Sequence, residues 1–577
     1  MPNPLAQKDF SGAQISSISD TIAPNNSVSL LQNMDADSEI GSAVTRNGTE
    51  TVGAQITAAL SILGLHQHID VDTPANNKLF ATINASGGAT SVIYDVIGAA
   101  NSVTALTSNK KMRFLTFLGA TLGLNGADAE RSYTSAGWIT TAGFFDLGNI
   151  PSSNTVNLCE EFLDRVYVAG DTAQPTRLYY SSVPTAGSVS WTSGNGNVDI
   201  EKEDGGGALT ALSKVPGYLL VFKERSLHRW NFSSAFPESL VQIGTPTQEC
   251  VVKGGGLCAF YSNSNENSKG FYITDGGRPK CISQDNNRPI KKWVDAIGNR
   301  SATFTAAVTD VITSTAHGLN NGDTVFVSST TTLPAGLSVN TTYFVISSAA
   351  NTFSLSANNG GSAVNITDTG TGTHTWFYSP VIAGWATDRY FAWSVGDLTV
   401  DGEDYENVVL RYNYRLNQWS VRTYPQEFKV FANYVVQSSN SQINTTVGGA
   451  DDGTIYRMDK PGTHKDANTT ATQFFPWKVR QHFLTYGENK EKVMKDKVAV
   501  RGKHLESARI IAYVDEVYEP IPISGKNFIK KVLSLFGIGN TIKGTSIALE
   551  VAGESGGAPC IVREIEPVSV SINDTYA

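Results

Sequence analysis

Four short segments decide the reading of this chain: FLTFLG (114–119), VYVAG (166–170), LLVFK (219–223) and FYITDGG (271–277). Their first residues lie 52, 53 and 52 positions apart. Each is a run of aromatic, β-branched and Leu residues halted by Gly, Asp or Lys, which is how a short buried strand reads. A period of roughly 50 residues in all-β sequence points to the blades of a propeller, a ring of small sheets around a channel. Between them, LFATI (79–83), SVIYDVIG (91–98), RLYYSSV (177–183) and SLHRWNF (226–232) supply further strands.

The phasing breaks at 301–378. This stretch is rich in Thr, Ser, Asn and Gly, holds no Lys, and has only Asp310, Asp323 and Asp368 as acids. It alternates at period two around Asn-Asn-Gly and Gly-Asp turns, so it reads as a small β domain inserted in a propeller loop. Blade-like sequence resumes at AGWATDRYFAWSV (383–395): Phe391 follows Phe271 by 120 residues, or 42 once the 78-residue insert is removed. The expected organisation is an N-terminal segment over 1–75, blades over 76–300, the insert over 301–378, blades again over 379–465, and a β-sandwich-like domain over 466–577. Two stretches break the all-β pattern. Ala54 to Leu65 reads as a short helix, and NFIKKVLSLFGIG (527–539) places Phe528, Val532, Leu535 and Phe536 on one helical face beside Lys530 and Lys531. The second reads as a packed helix or as a segment that touches a membrane or partner.

Composition narrows the function. The 44 basic and 53 acidic residues give a net charge of −9, which argues against nonspecific nucleic-acid binding, where a basic footprint must displace counterions. The odd set of Cys159, Cys250, Cys258, Cys281 and Cys560 contains no CxxC pair and reads as reduced and mostly buried. MPNPLAQKDFSGAQ lacks a basic region followed by an apolar one, so no secretory signal is expected, nor does any window reach the ~18 apolar residues of a membrane span.

The sequence offers no catalytic motif. GNTIKGTS spaces Gly539 and Gly544 suitably for a phosphate loop but puts Thr545 where Lys is required. The triplets Gly205–Gly207 and Gly254–Gly256 read as turns. HQHIDVD would put His66, His68, Asp70 and Asp72 on one face of a strand, with donors suited to a divalent ion but in positions that converge poorly. DDGTIY (Asp451, Asp452) and VDGEDYEN are acidic turns without the alternating ligands of a calcium loop. Sialidase-type boxes, nucleophile elbows and zinc-protease helices are absent. Trp138, Trp191, Trp230, Trp385, Trp393 and Trp419 sit at strand ends and are expected to staple blade to blade. No catalytic, cofactor or metal residue is therefore assigned, and the chain is not expected to be an enzyme.

At this point a resemblance enters. DFSGAQISSISDTIAPNNSVSLLQNMDADSEIGSAVTRNG (9–48) is similar to the opening of the β-propeller tail nozzle proteins of short-tailed bacteriophages (tail tubular or packaged-DNA stabilisation proteins), with Asn33, Asp35, Arg46 and Gly48 at that group's Asn-Asp and basic-Gly positions. GALTALSKVPGYLLVFKERSLHRW (207–230), YNYRLNQWSV (412–421) and GGADDGTIYRMD (448–459) resemble its blades. TAHGLNNGDTV, LPAGLSVNTTYFV and NTFSLSA resemble a β module of phage tail and fibre proteins, an insert that a minimal nozzle lacks. The resemblance implies a virion tail protein, folded in the bacterial cytoplasm and assembled as a homo-oligomeric ring, a hexamer, on the phage adaptor and portal proteins. It also implies contact with tail fibre or spike proteins, transient contact with the host envelope, and genomic DNA passing the lumen without sequence-specific binding, the repeats forming the conduit wall. The alternative is a receptor-binding or fibre-connecting tail protein, with a glycan-degrading propeller enzyme behind it.

Overall fold

The computed structural model describes residues 7–572 apart from 17–22, 25, 37–40, 59, 71–72, 140–143, 151–152, 185–187, 235, 265–267, 285–289, 340, 358–360, 439–440, 470, 484–491, 506, 515–516, 524–525, 530–532, 538–541 and 545–546. The fold is all-β: a β-propeller with an inserted small β domain and a C-terminal β-sandwich. Among the described residues, seven antiparallel units of four strands follow one another around a ring. Their innermost strands are Ile62–His68, Arg113–Phe117, Leu158–Phe162, Leu209–Val215, Val251–Gly254, Ala383–Ala386 and Phe428–Ser438. Each neighbours the next, and Phe428–Ser438 closes back on Ile62–His68.

The last blade is completed by the chain's beginning: Gly48–Thr51 pairs antiparallel with Ile455–Lys460, Tyr456 opposite Thr51. Seven blades thus close by a strand drawn from a distance of some four hundred residues, which supplies the last blade's fourth strand. At the same seam the Gln67 side-chain amide spans both backbone groups of Val435, accepting from its N–H at 2.6 Å and donating to its carbonyl at 3.1 Å.

The period that betrays the blades does not mark equivalent strands. Phe114 lies on an innermost strand, Val166 and Leu219 on second strands, and Phe271 on a third. Three of the four segments are buried on both faces over most of their length, since each blade is sandwiched between its neighbours and an interior strand reads as a continuous apolar run; FLTFLG is the exception, with Leu118 exposed at its end. Module length is nearly constant, whereas loop lengths are not, so the apolar run drifts from strand to strand.

The tryptophans lie at blade seams. Trp138 meets Phe80 at 4.9 Å, Trp230 meets Tyr167 at 6.1 Å, and Trp385 meets Phe431 at 4.2 Å. Trp191 donates to the Phe145 carbonyl, Trp393 to that of Cys250 and Trp419 to that of Ile282. Each ring therefore buries apolar area at a seam, and Trp191, Trp393 and Trp419 also satisfy their one donor there.

Residues 301–378 form a closed six-stranded barrel between the fifth and sixth blades, around Phe304, Ile312, Val325, Val345, Phe353 and Trp376. Its ends meet, Ser301 lying opposite Phe377. The C-terminal region is a two-sheet sandwich. One sheet runs without a break from the sixth blade through Leu30–Gln32 to Pro476–Arg480 and Ile547–Glu554; the other carries Lys492–Lys503 and Ile561–Ile572. Leu31, Trp477, Val500, Leu549, Val562 and Ile565 fill the space between. The N-terminal segment is thus a shared part of both bodies: Leu30–Gln32 and Met34–Asp35 serve the sandwich, Gly48–Thr51 the last blade.

Both helical expectations fail. Ile62–His68 is an innermost strand, and Lys526–Ile529 pairs antiparallel with Leu533–Gly537, Phe528 opposite Ser534. The described residues of 54–61 are turn and coil; where strand forms, a neighbouring strand supplies backbone partners that an isolated helix of that length lacks. Lys530, Lys531 and Val532 lie outside the described residues, as do Asp72, Gly539 and Thr545.

Because the barrel's two ends are adjacent, replacing 301–378 by a short Gly linker is expected to leave a cooperative thermal transition and a β-type circular dichroism spectrum. Aggregation of that variant on expression would show that the ring cannot close without the barrel.

Candidate functional site

The four positions Asn33, Asp35, Arg46 and Gly48 meet in one buried place where sandwich, sixth blade and seventh blade converge. The Arg46 guanidinium is fully buried and all five of its N–H groups are used. Nε donates to Asn33 Oδ1 (2.9 Å), Nη1 to Asp466 Oδ1 and the Asn47 carbonyl (2.9 Å each), and Nη2 to Asp466 Oδ2 (2.5 Å) and the Thr423 carbonyl (2.9 Å). Tyr424 and Phe475 cover its two faces at 4.2 and 4.0 Å. A planar five-donor fork is what this socket demands, and Lys does not supply it.

Asn33 is held at φ 54°, a left-handed conformation that Asn tolerates better than most residues. From there its amide donates to Thr423 Oγ1 and the Pro476 carbonyl, both at 2.7 Å. Asp35 binds Arg411 and Arg422, the latter at 2.8 Å, and Arg422 also binds Asp459. Burial alone would raise the Asp35 carboxyl; Arg411 and then Arg422 more than offset it and hold it below its ordinary value. Gly48 is required by space: a Cβ there would stand 1.8 Å from the Lys465 carbonyl oxygen. The cluster holds three arginines against three aspartates, so burial leaves no net charge.

A second charged set crosses the propeller axis. Arg113, on the second blade, binds Glu249 ahead of the fifth at 3.0 Å, with Lys111 at 3.4 Å. Glu160 of the third blade binds Lys253 of the fifth, and Glu161 binds Lys214 of the fourth. Second and fifth blades stand three places apart in a ring of seven, so side chains bridge the bore of the propeller. Burial would raise the Glu249 carboxyl, but Arg113 and Lys111 hold it well below the carboxylate range.

A third set lies where the barrel meets the propeller. Asp323 of the barrel, Asp397 of the sixth blade, and Glu427 and Asp451 flanking the seventh gather about Lys429, which binds Glu427. Arg300 binds Asp397 at 3.1 Å. Burial first, then Glu427, pushes Asp323 up to about 7; burial, with Glu427 adding and Lys429 opposing, pushes Asp451 up to about 7.

The other sequence-level candidates separate. His66 contacts Thr116 Oγ1 (2.6 Å) and His68 contacts Thr121 Oγ1 (2.9 Å), so both tie the first blade to the second. Asp70 lies beyond the strand end, accepting from the Thr73 N–H. Asp452 caps the Thr454 N–H and accepts from the Tyr456 hydroxyl, and Gly255 and Gly256 form a hairpin turn at φ 60° and 78°. No disulfide joins the five cysteines; burial pushes the Cys159 and Cys258 thiols up to about 12 and Cys250 to about 11. Among the described residues, Glu201, Asp204 and His228 have ligand atoms within 4.8 Å of one another. Asp204 is already saturated by Lys223 Nζ (2.6 Å), Ser226 Oγ and the Gly206 N–H (2.7 Å each), so an ion there must compete with a buried ammonium.

The partners Asp466, Arg411 and Arg422 escaped the sequence reading. The available signal was a charge on the buried phase of apolar strands: Arg411 within VVLRYNY and Arg422 within WSVRTY.

No family model matches the chain, and no curated protein matches it. Similar solved structures include Sqt1 of Saccharomyces cerevisiae (8% identity, TM-score 0.35, covering 72% of this chain and 100% of that one). YCF48 from Cyanidioschyzon merolae (8%, 0.32, 71% and 98%) and the computationally designed Ika8 protein (9%, 0.32, 71% and 99%) are two more. Likenesses at this level carry no functional argument, and the architecture stands on its own strand connectivity.

Two outcomes follow from the buried charges. Arg46→Met strands Asp466 in the interior and is expected to cost about 3–5 kcal/mol in urea unfolding, with Arg46→Lys intermediate; a loss below about 1 kcal/mol would contradict the arrangement. The acids set a pH profile with two limbs. Asp323 and Asp451 bind protons more tightly folded than unfolded, so the stability they contribute is full below roughly pH 4 and declines as pH rises to about 7. Asp35 and Glu249 act oppositely, stabilising above roughly pH 4 and failing in stronger acid. In Asp323→Asn, the fall in thermal midpoint between about pH 5 and 7 is expected to shrink, read by scanning fluorimetry across buffers.

Proposed function

We propose that the chain is a structural, non-catalytic subunit of a short-tailed bacteriophage tail nozzle. Copies associate as a homo-oligomeric ring, a hexamer, on the adaptor and portal proteins, and the lumen between them retains packaged DNA and conducts it on ejection. The observation that carries this reading is the coincidence of two independent facts. Asn33, Asp35, Arg46 and Gly48 are the positions through which the N-terminus resembles the nozzle group, and they are the positions that lock propeller to sandwich. A subunit that must hold against a pressurised genome needs its domains fixed relative to one another, and a saturated buried arginine provides that.

The bridged bore sharpens the proposal. DNA does not thread the propeller of one chain, since Arg113–Glu249 spans it; the conduit is the space enclosed by several copies, and the blades are its masonry only in that sense. A net charge of −9 suits a wall that DNA passes without binding. The fibre-connecting alternative draws support from the barrel, where Val308 and Val339 stand exposed on a module the minimal nozzle lacks.

Electron microscopy of purified protein or of virions is expected to show a closed ring on the portal axis. A peripheral spike position would overturn the nozzle reading in favour of the fibre-connecting one.

A further inference from the structure

A cavity of about 590 Å³ lies between the barrel and the end of the propeller where the innermost strands begin. That volume falls within the roughly 300–1,000 Å³ of small-molecule sites. Its propeller wall includes Ile62 and Leu63 of the first blade, Tyr261 of the fifth, and Ile382 ahead of the sixth. Its barrel wall includes Thr324, Phe326 and Phe344.

The barrel wall departs from what its strands require. Val325, Val327, Tyr343 and Val345 point into the barrel core, so Thr324, Phe326 and Phe344 occupy the outward phase. On a barrel bathed in water that phase carries polar residues. Here it carries two phenylalanines, with Phe326 stacked on Phe377 (4.9 Å, 9° between planes) and still 39% exposed. A seam serving only to seat the barrel would close to interior density; this one leaves room.

The cavity also holds a lysine whose ammonium is met by main-chain carbonyls. Three lysines line it. Lys111 pairs with Glu249 and Lys429 with Glu427. Lys269 instead donates to two main-chain carbonyls, those of Ile297 (2.7 Å) and Asp295 (3.1 Å), while the Asp295 carboxylate is taken by Lys291. Among the described residues no carboxylate pairs with the Lys269 ammonium. A partly buried lysine so placed attracts an anion from solution. Asn109 and Thr247 add neutral hydrogen-bonding groups at the same cavity.

We propose that this cavity binds an amphipathic organic anion, an aromatic or medium-chain alkyl carboxylate or sulfonate. Its head sits on Lys269 and its apolar body lies along Ile62, Tyr261, Phe326 and Phe344. The ligand bridges propeller and barrel, filling the void between them.

The test uses the full chain and anilinonaphthalene sulfonate, an aromatic sulfonate whose emission rises in apolar surroundings. Saturable binding is expected, displaced by decanoate, with Lys269→Gln weakening it by about tenfold or more, the loss of one charge-assisted hydrogen bond. Lys8→Gln, at a surface pair with Glu564, is expected to leave it unchanged. Equal affinity in Lys269→Gln and the parent chain, or binding that does not saturate, would overturn the site. Should Lys269→Gln fail to fold, Phe344→Trp provides a second reading: decanoate is expected to shift its indole emission, and an unmoved spectrum would overturn the proposal.

Discussion

The Arg46 guanidinium is the constraint on which the rest of the molecule depends. A buried arginine is tolerable only when every N–H finds an acceptor and the charge finds a partner. Here the acceptors come from Asn33, Asn47, Thr423 and Asp466, which lie in the N-terminal segment, at the end of the sixth blade and beyond the seventh. Satisfying one side chain therefore requires those parts to be in register together. Gly48, two residues on, admits the Lys465 carbonyl where any side chain would exclude it, and from that point the chain proceeds into the strand that closes the propeller.

Charge is handled differently at three depths. In the lock it is balanced, and Arg46 is saturated, which fixes geometry. Along the axis, pairs such as Arg113–Glu249 bridge distant blades, filling a bore that would otherwise leave innermost strands facing a void. At the barrel seam, carboxyls outnumber cations: Asp323, Asp397, Glu427 and Asp451 face Lys429 and Arg300. Burial and that imbalance together push the Asp323 and Asp451 carboxyls up to about 7. The seam is also where packing density falls, beside Phe326 and Phe344.

Much of the architecture is legible in residue order because blades are local. A run such as LLVFK is buried on both faces wherever its blade stands, so its composition announces it. The barrel was legible for a related reason: residues 301–378 lack lysine and alternate at period two, a change of pattern visible without coordinates. Helical spacing misled at Ala54–Leu65 and at 527–539, where a few apolar residues match either period and a partner strand decides. The lock was only half legible. Asn33, Asp35, Arg46 and Gly48 could be singled out, but nothing near them in sequence names Arg422 or Asp466, since a polar partner hundreds of residues away leaves no periodic trace.

By itself the sequence determined the all-β class, the modular period and the inserted domain, because each arises from alternation and burial within some fifty residues. Tertiary structure alone decided that seven units close, that the strand Gly48–Thr51 of the N-terminal segment completes the last blade, and that one arginine joins propeller to sandwich. Those are long-range facts. They depend on which acceptor meets which donor after the ring has formed, and pairing of that kind is set by three-dimensional proximity, which no local pattern encodes.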